Sequence, residues 1–266
     1  MPKISIGDAD IQYEKTGDGP PLMLVPGLGG MGSFWAKQVA ELSRHFTVVI
    51  HDHRGTGQST HSRIKYSVDQ MAADVVKLMD ALKIDRAHFA GHSTGGAIGQ
   101  TIAQDHPARI ASLVLSATWA GRDAYFARAF ALRKSILETQ GPGPYARASN
   151  LMLYPPYWTA THAKEYEVAE AAAAAAPPPT DIALSRIDAI VAFDRRARLG
   201  EIKAPTLVIV ARDDMVTPLH QSEELAQKIA GARLVVLERG GHFVPVIHPE
   251  TYNPPVAEFL RKAAGR

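Results

Sequence analysis

The chain contains the residue types of a hydrolytic nucleophile in a setting that suits acyl transfer. Ser93 lies in Gly91-His92-Ser93-Thr94-Gly95, where a strand-like run, Arg86 to Ala90, gives way to a helix-like one. A G-x-S-x-G sequence between a strand and a helix describes a nucleophile elbow, a strained turn that lifts the serine Oγ clear of the backbone. Such a turn brings the chain close to itself, which calls for residues without Cβ on either side of the serine. A serine hydroxyl is a weak nucleophile near neutral pH, so it needs a base within hydrogen-bond reach and a third group to orient that base. Asp214 follows the apolar run Thr206 to Val210, and His242 follows the run Arg233 to Leu237 on the loop Gly240-Gly241-His242. Both therefore sit where a parallel strand would end, the side of an open α/β sheet on which ligands bind.

Each assignment has a rival of the same type. Asp213 adjoins Asp214 and suits a solvated or turn-capping carboxylate, whereas Asp214 opens Asp-x-x-x-Pro; Asp123 is a further acid. His248 precedes Pro249 and fits a helix start, and His92 fits packing beside the nucleophile. His51, His53 and His88 read as structural, and no H-E-x-x-H spacing points to a metal. The negative charge of a tetrahedral intermediate calls for two backbone N–H donors. Thr94, directly after the nucleophile, supplies one, and the glycine-rich loop Pro26-Gly27-Leu28-Gly29-Gly30 supplies the other from Leu28. That loop lacks the Lys-Ser/Thr of a phosphate cradle and matches G-x-G-x-x-G poorly, so no nucleotide cofactor is expected.

The elements that must position these residues alternate. Residues 3–15 read as a hairpin preceding the main sheet. Leu22 to Val25, Phe46 to Ile50, the elbow strand and Ser112 to Ser116 are short apolar runs of the kind a parallel strand buried on both faces needs. A helix is expected from about Ser33 to Ser43. A second runs from Ser67 to Leu82, opened by a capping box of Ser67 and Gln70. The pattern stops between about Trp119 and Gly200, where Gly141-Pro142-Gly143-Pro144, Pro155-Pro156 and an alanine run from Ala171 to Ala176 describe helices closed by turns. It resumes at Thr206. The expected organisation is an α/β core over 1–118 and 201–266, with a mostly parallel sheet flanked by helices, and an inserted helical cap over 119–200.

The chain has 46% hydrophobic and 21% charged residues, a formal net charge of +2 with the signs interspersed, and no cysteine. That composition suits a globular protein acting on small molecules, offers no basic block for nucleic acid, and removes disulfides and cysteine nucleophiles from consideration. The first residues lack an apolar signal core and no run approaches the ~18 residues of a membrane span, so a cytoplasmic location is expected, with a homodimer left open.

Several segments together make the chain resemble the α/β-hydrolase superfamily over nearly its full length: Pro26 to Gly30, Asp52-His53-Arg54-Gly55-Thr56-Gly57-Gln58-Ser59, Gly91 to Gly96, Asp214 to Pro218 and Gly241-His242. The order Ser93, Asp214, His242 is that superfamily's order of nucleophile, acid and base. Within it, Gly27 to Trp35, Tyr66 to Ala72, Leu153 to Trp158 and His248 to Asn253 are similar to aminoacrylate (carbamate-type) hydrolases, and the 3-oxoadipate enol-lactonases are also similar. Gly-His-Ser-Thr-Gly-Gly further resembles cofactor-free perhydrolases and haloperoxidases. What these resemblances and the triad imply is a serine hydrolase of a small carboxylic ester, lactone or related acyl substrate. A carbamate-type C–N hydrolase, a carbon–carbon bond hydrolase, a perhydrolase and a hydrolase-derived ligand receptor are the alternatives. Trp35, Trp119, Phe126, Tyr154, Tyr157 and Trp158 are candidates for an aromatic pocket lining, and Arg122, Arg128 and Arg133 for holding a substrate carboxylate.

Overall fold

The computed structural model describes residues 2–175 and 177–265; Ala176, the last of the expected alanine run, lies outside the described residues. The apolar runs become β3 (Pro21–Val25), β4 (Thr47–His51), β5 (Ala87–His92), β6 (Ile110–Ser116), β7 (Thr206–Ala211) and β8 (Arg233–Leu237). These six pair in parallel in the order β4-β3-β5-β6-β7-β8. β4, β5 and β7 are buried along their whole length, which is why they carry continuous apolar runs rather than alternation. The hairpin read over residues 3–15, β1 (Lys3–Ser5) and β2 (Asp10–Thr16), precedes the parallel strands in the chain and joins their sheet. β2 pairs antiparallel with β4 from Tyr13↔His51 to Thr16↔Val48 and so extends the same sheet to eight strands among the described residues. Its inward face, with Ile11 fully buried, is what docks it there.

Helices α1 (Ala36–Leu42), α2 (Val68–Ala81) and α3 (Thr94–Asp105) connect the first strands. A 3-10 turn over Gly32–Trp35 precedes α1, so the helix begins three residues later than its sequence suggests. Ser67 caps α2 by accepting from the Gln70 amide at 3.0 Å, but Gln70 sends its side chain forward to Asp74 rather than back to the cap, so only half of a capping box forms. Between β6 and β7 lie α4 (Ala124–Gln140), α5 (Pro142–Leu153), α6 (Pro156–Thr161), α7 (Ala163–Ala175) and α8 (Thr180–Ala192). Prolines at the first turns of α5 and α6 start these helices without sacrificing a hydrogen bond. After β7 come α9 (Leu219–Lys228), then α10 (Val244–Ile247) and α11 (Pro249–Ala263), the last two following β8. One apolar cluster, with Met23, Phe89 and Leu113, packs against α2 and α3, and a second, with Leu22, Val114 and Leu207, packs against α1 and α11. Alternate residues of the strands thus feed opposite faces, and the strand ends are left to carry chemistry. No described helix is long and apolar enough to cross a membrane.

Candidate active site

β5 ends at His92 and α3 begins at Thr94, so the whole reversal of direction falls on Ser93. Its backbone sits at φ 55°, ψ −118°, a conformation L residues avoid. The strain is held by bonds to the neighbouring strand end: the Ser93 amide donates to the Ser116 carbonyl at 2.8 Å, and Thr118 Oγ1 donates to the Ser93 carbonyl at 2.8 Å. The two flanking glycines are there for clearance. A Cβ on Gly91 would run into the Gly95 carbonyl, and one on Gly95 into the Val25 carbonyl at the end of β3.

Asp214 and His242 follow β7 and β8 and are buried, at 4% and 2% exposure. Asp214 Oδ1 accepts from the amides of Val216 (2.7 Å) and Thr217 (2.9 Å), while Oδ2 accepts from Thr217 Oγ1 (2.9 Å) and meets His242 Nδ1 at 2.8 Å. Accepting from three donors, Asp214 presents Oδ2 to the imidazole and holds it with its proton on Nδ1, leaving the Nε2 lone pair available as a base. The adjacent Asp213 does something different. Its Oδ1 accepts from the Gly241 amide at 2.8 Å and its Oδ2 from the Gly240 amide at 3.3 Å, so it holds the loop that carries His242.

The His92 ring lies with its centroid 4.7 Å from that of His242, next to the nucleophile. Burial, reinforced by the nearby His242, holds His92 well below the usual imidazole range, so it adds no second positive charge. Its Nδ1 pairs with Ser116 Oγ at 3.1 Å. Among the described residues no hydrogen bond joins Ser93 Oγ to His242.

The loop Pro26–Gly30 lies over the elbow, close enough that a Cβ on Gly27 would stand 3.2 Å from the Ser93 Cβ. No hydrogen bond occupies the Leu28 or Thr94 amide among the described residues. The segment Asp52 to Ser59, which its sequence presents only as a loop, braces this one. The His53 amide donates to the Gly30 carbonyl at 2.7 Å, Thr56 Oγ1 to the same carbonyl at 3.0 Å, and the Gly32 amide to Asp52 Oδ1 at 2.9 Å. Arg54 anchors the brace: its Nε and Nη2 donate to Asp74 at 2.9 and 2.8 Å, and Nη1 and Nη2 to Asp8 at 2.8 and 2.9 Å. Hydrogen bonds from Arg54 hold the Asp8 carboxyl far below the usual carboxylate range, whereas burial pushes Asp74 up.

The aromatic candidates divide. Trp35 is fully buried against Tyr252 and His92 in the core cluster on the α1/α11 side, so it packs the core and does not line a pocket. Trp119 and Phe126 are likewise buried, ring centroids 4.7 Å apart, in a cluster with Phe130 and Phe193 beneath the inserted helices. A sequence shows that such residues are large and apolar but not which way they face. Tyr154 and Trp158 are only partly buried; they stack on each other at 4.5 Å, and Tyr154 meets Phe243, the neighbour of His242, at 5.1 Å. Tyr157 bonds to His248 at 2.9 Å. Arg122 and Arg128 are exposed, while Arg133 is buried on Ser149 (3.1 Å) and Tyr145 (3.1 Å). Asp123 caps α4 and pairs with His220 at 2.7 Å. No three His, Cys, Asp or Glu side chains converge as a metal set among the described residues.

The arrangement of strand order, elbow and strand-end residues can be compared with known proteins, and residues 20–249 match the family model for the alpha/beta hydrolase fold. The chain belongs to that family. The hydrolase is 39% identical over 97% of its length, and 98% of the relative's, to the protein of Azorhizobium caulinodans named "Putative carbamate hydrolase RutD". A protein of the same name from Pseudomonas savastanoi pv. phaseolicola is 41% identical, over 91% of this chain and 94% of the relative. Among solved structures, the enol-lactonase from Burkholderia xenovorans superposes with a TM-score of 0.90 at 31% identity, covering 97% of the hydrolase and 99% of that chain. An esterase from Thermogutta terrifontis gives 0.87 at 26% identity, with 98% of each chain covered. The hydrolase is thus similar both to proteins named as carbamate hydrolases and to proteins named as an enol-lactonase and an esterase.

Proposed function

We propose that the hydrolase cleaves a small carbamate or related acyl–nitrogen compound through a covalent intermediate on Ser93. The observations that support this chemistry are a strained, glycine-cleared serine after β5, a buried His242–Asp214 pair after β8 and β7 on the same side of the sheet, and the His242 ring 4.7 Å from that of His92, the residue before the serine. In this reading His242 Nε2 takes the proton of Ser93 as Oγ bonds to the carbonyl carbon. The charge on the carbonyl oxygen is held by the Leu28 and Thr94 amides. The C–N bond then breaks with the proton passed from His242 to the leaving nitrogen, and water, activated by the same imidazole, releases the acyl group. Asp214 orients the ring and stabilises its charged form. The preference for C–N over C–O is supported by the relatives at 39–41% identity over more than nine-tenths of the chain. The ester and lactone reading stands second, supported by the similarity to the enol-lactonase. In either case the inserted helices form the cap over the acyl site, with Tyr154 and Trp158 at its edge, and no cofactor enters the reaction.

The test is a hydrolysis panel of small carbamates, amides, esters and lactones run with the natural enzyme and Ser93→Ala. The carbamates are expected to have the highest kcat/KM, with all turnover lost in the variant. A preference for lactones would give the second reading, and turnover surviving in Ser93→Ala would remove the serine mechanism.

A further inference from the structure

Arg186, on α8 of the insertion, is 2% exposed and belongs among the largest fully buried side chains, yet no carboxylate lies within ion-pair distance of it among the described residues. A buried guanidinium without a counter-charge is costly unless its hydrogens are taken up. Here they are taken up by the core. Nη1 donates to the Arg54 carbonyl at 3.0 Å, and Nη2 donates to the Leu28 carbonyl at 3.0 Å and meets His53 Nδ1 at 3.1 Å. Because a guanidinium only donates, His53 must accept through Nδ1 and carry its proton on Nε2. Burial, then the nearby Arg186 and His51, hold His53 well below its usual range and so keep it an acceptor. Both hydrogens of Nη2 are thereby committed, one of them to Leu28, the second oxyanion donor in the reading above. The fit leaves no slack, since a Cβ on Gly30 would stand 3.0 Å from Nη2. The ring of Tyr66, 5.7 Å from the guanidinium carbon, covers another side of the cation.

We propose that Arg186 is a positioning residue: from the insertion it fixes the Leu28 carbonyl, and with it the backbone angle that sets the Leu28 N–H toward the oxyanion. The inserted helices then do more than cover the site, because removing the Arg186 bond to this carbonyl loosens half of the oxyanion hole. This rests on the reading above, in which Leu28 is an oxyanion donor. The geometry favours it over direct capture of a substrate anion, because the hydrogens of Nη2 are already committed to Leu28 and His53.

The experiment compares 4-nitrophenyl acetate with its thionoester, and with a carboxylate-bearing 4-nitrophenyl ester, in the natural enzyme, Arg186→Met and Arg186→Lys, with Ser93→Ala as reference. A thiocarbonyl accepts hydrogen bonds poorly, so the ratio of oxo-ester to thionoester rates reports the oxyanion donors. Arg186→Met is expected to lose about 10²-fold in kcat on the neutral oxo-ester, as for loss of one donor. KM should change by less than about threefold, and the oxo/thiono ratio should fall in parallel. Arg186→Lys keeps the charge but not the fork, so it should show the same compression to a smaller extent and keeps the test available if the Met variant does not fold. Equal loss on oxo- and thionoesters, or an unchanged ratio in folded Arg186→Lys, would overturn the proposal. Loss confined to the carboxylate-bearing ester would instead make Arg186 a substrate ligand. If the natural enzyme itself shows no oxo preference, or Ser93→Ala retains turnover, the underlying serine mechanism fails rather than the role of Arg186 alone.

Discussion

The strand ends that carry Ser93, Asp214 and His242 and the helices inserted between β6 and β7 are held together by different means. At the strand ends the Ser93 amide and carbonyl and the Gly240 and Gly241 amides have fixed partners, and a single Cβ at Gly91 or Gly95 would collide with main chain. In the insertion, Leu132, Leu151 and Val168 are exposed on α4, α5 and α7, and a Cβ on Gly143 would meet nothing within 4 Å. Chemistry that needs sub-ångström placement sits where the backbone is over-determined. In the proposed function, substrate choice falls to the part whose surface can change at little cost. Arg186 is one of several side chains that tie the two regions together, and it is the one that bonds to the Leu28 carbonyl among the described residues.

The comparison breaks most directly at the nucleophile. Ser93→Ala is expected to lower kcat by about 10⁵-fold or more, since triad members act as a unit. Stopped assays on any accepted substrate would show it, and a loss under tenfold would place the chemistry elsewhere. The paired aspartates come next. Asp214→Asn should cost about 10⁴-fold in kcat through the wrong imidazole tautomer. Asp213→Asn, which only loosens the Gly240–Gly241 loop, should cost no more than about 10²-fold. The reverse order would exchange the two roles.

The contrast in rigidity is tested by Gly95→Ala against Gly143→Ala in urea titrations. The first is expected to destabilise by about 1–3 kcal/mol or more through overpacking, and the second to stay within about 1 kcal/mol of the natural protein, on the stabilising side. Equal effects would remove the distinction between the regions.

The smallest effect concerns acid. Burial lowers His51 from 6.5 to about 4, so between those values the unfolded chain binds a proton that the folded one refuses. Stability is therefore complete above about pH 6.5 and lost as pH falls toward 4. From pH 7 to pH 5 this one group removes about 2 kcal/mol. His53 and His92, also depressed by burial, act in the same direction. The dependence of the urea midpoint on pH measures it, and His51→Gln should flatten it.

Much of this is legible in the sequence alone. Strand-like apolar runs each ending in a distinctive residue are a strong signal, because a parallel sheet sends all such ends to one side. What a sequence carries poorly is the direction a side chain faces. Trp35, Trp119 and Phe126 look like pocket aromatics and are core, because size and apolarity serve both roles. Asp213 looks like a spare carboxylate, since its partners, the Gly240 and Gly241 amides, lie 27 and 28 residues away. Arg186 did leave a trace. It stands four residues from both Ile182 and Ile190, each 1% exposed, and so occupies the buried face of α8, where an arginine must have a purpose.

The central claim is that Ser93 is the attacking atom's residue and that its surroundings make it reactive. The direct measurement is treatment of the intact protein with a fluorophosphonate, followed by peptide mass mapping. One adduct per chain on the peptide containing Ser93, abolished in Ser93→Ala and strongly slowed in His242→Ala, is the predicted result. An adduct on another residue, or labelling that persists at full rate without Ser93, would contradict the account.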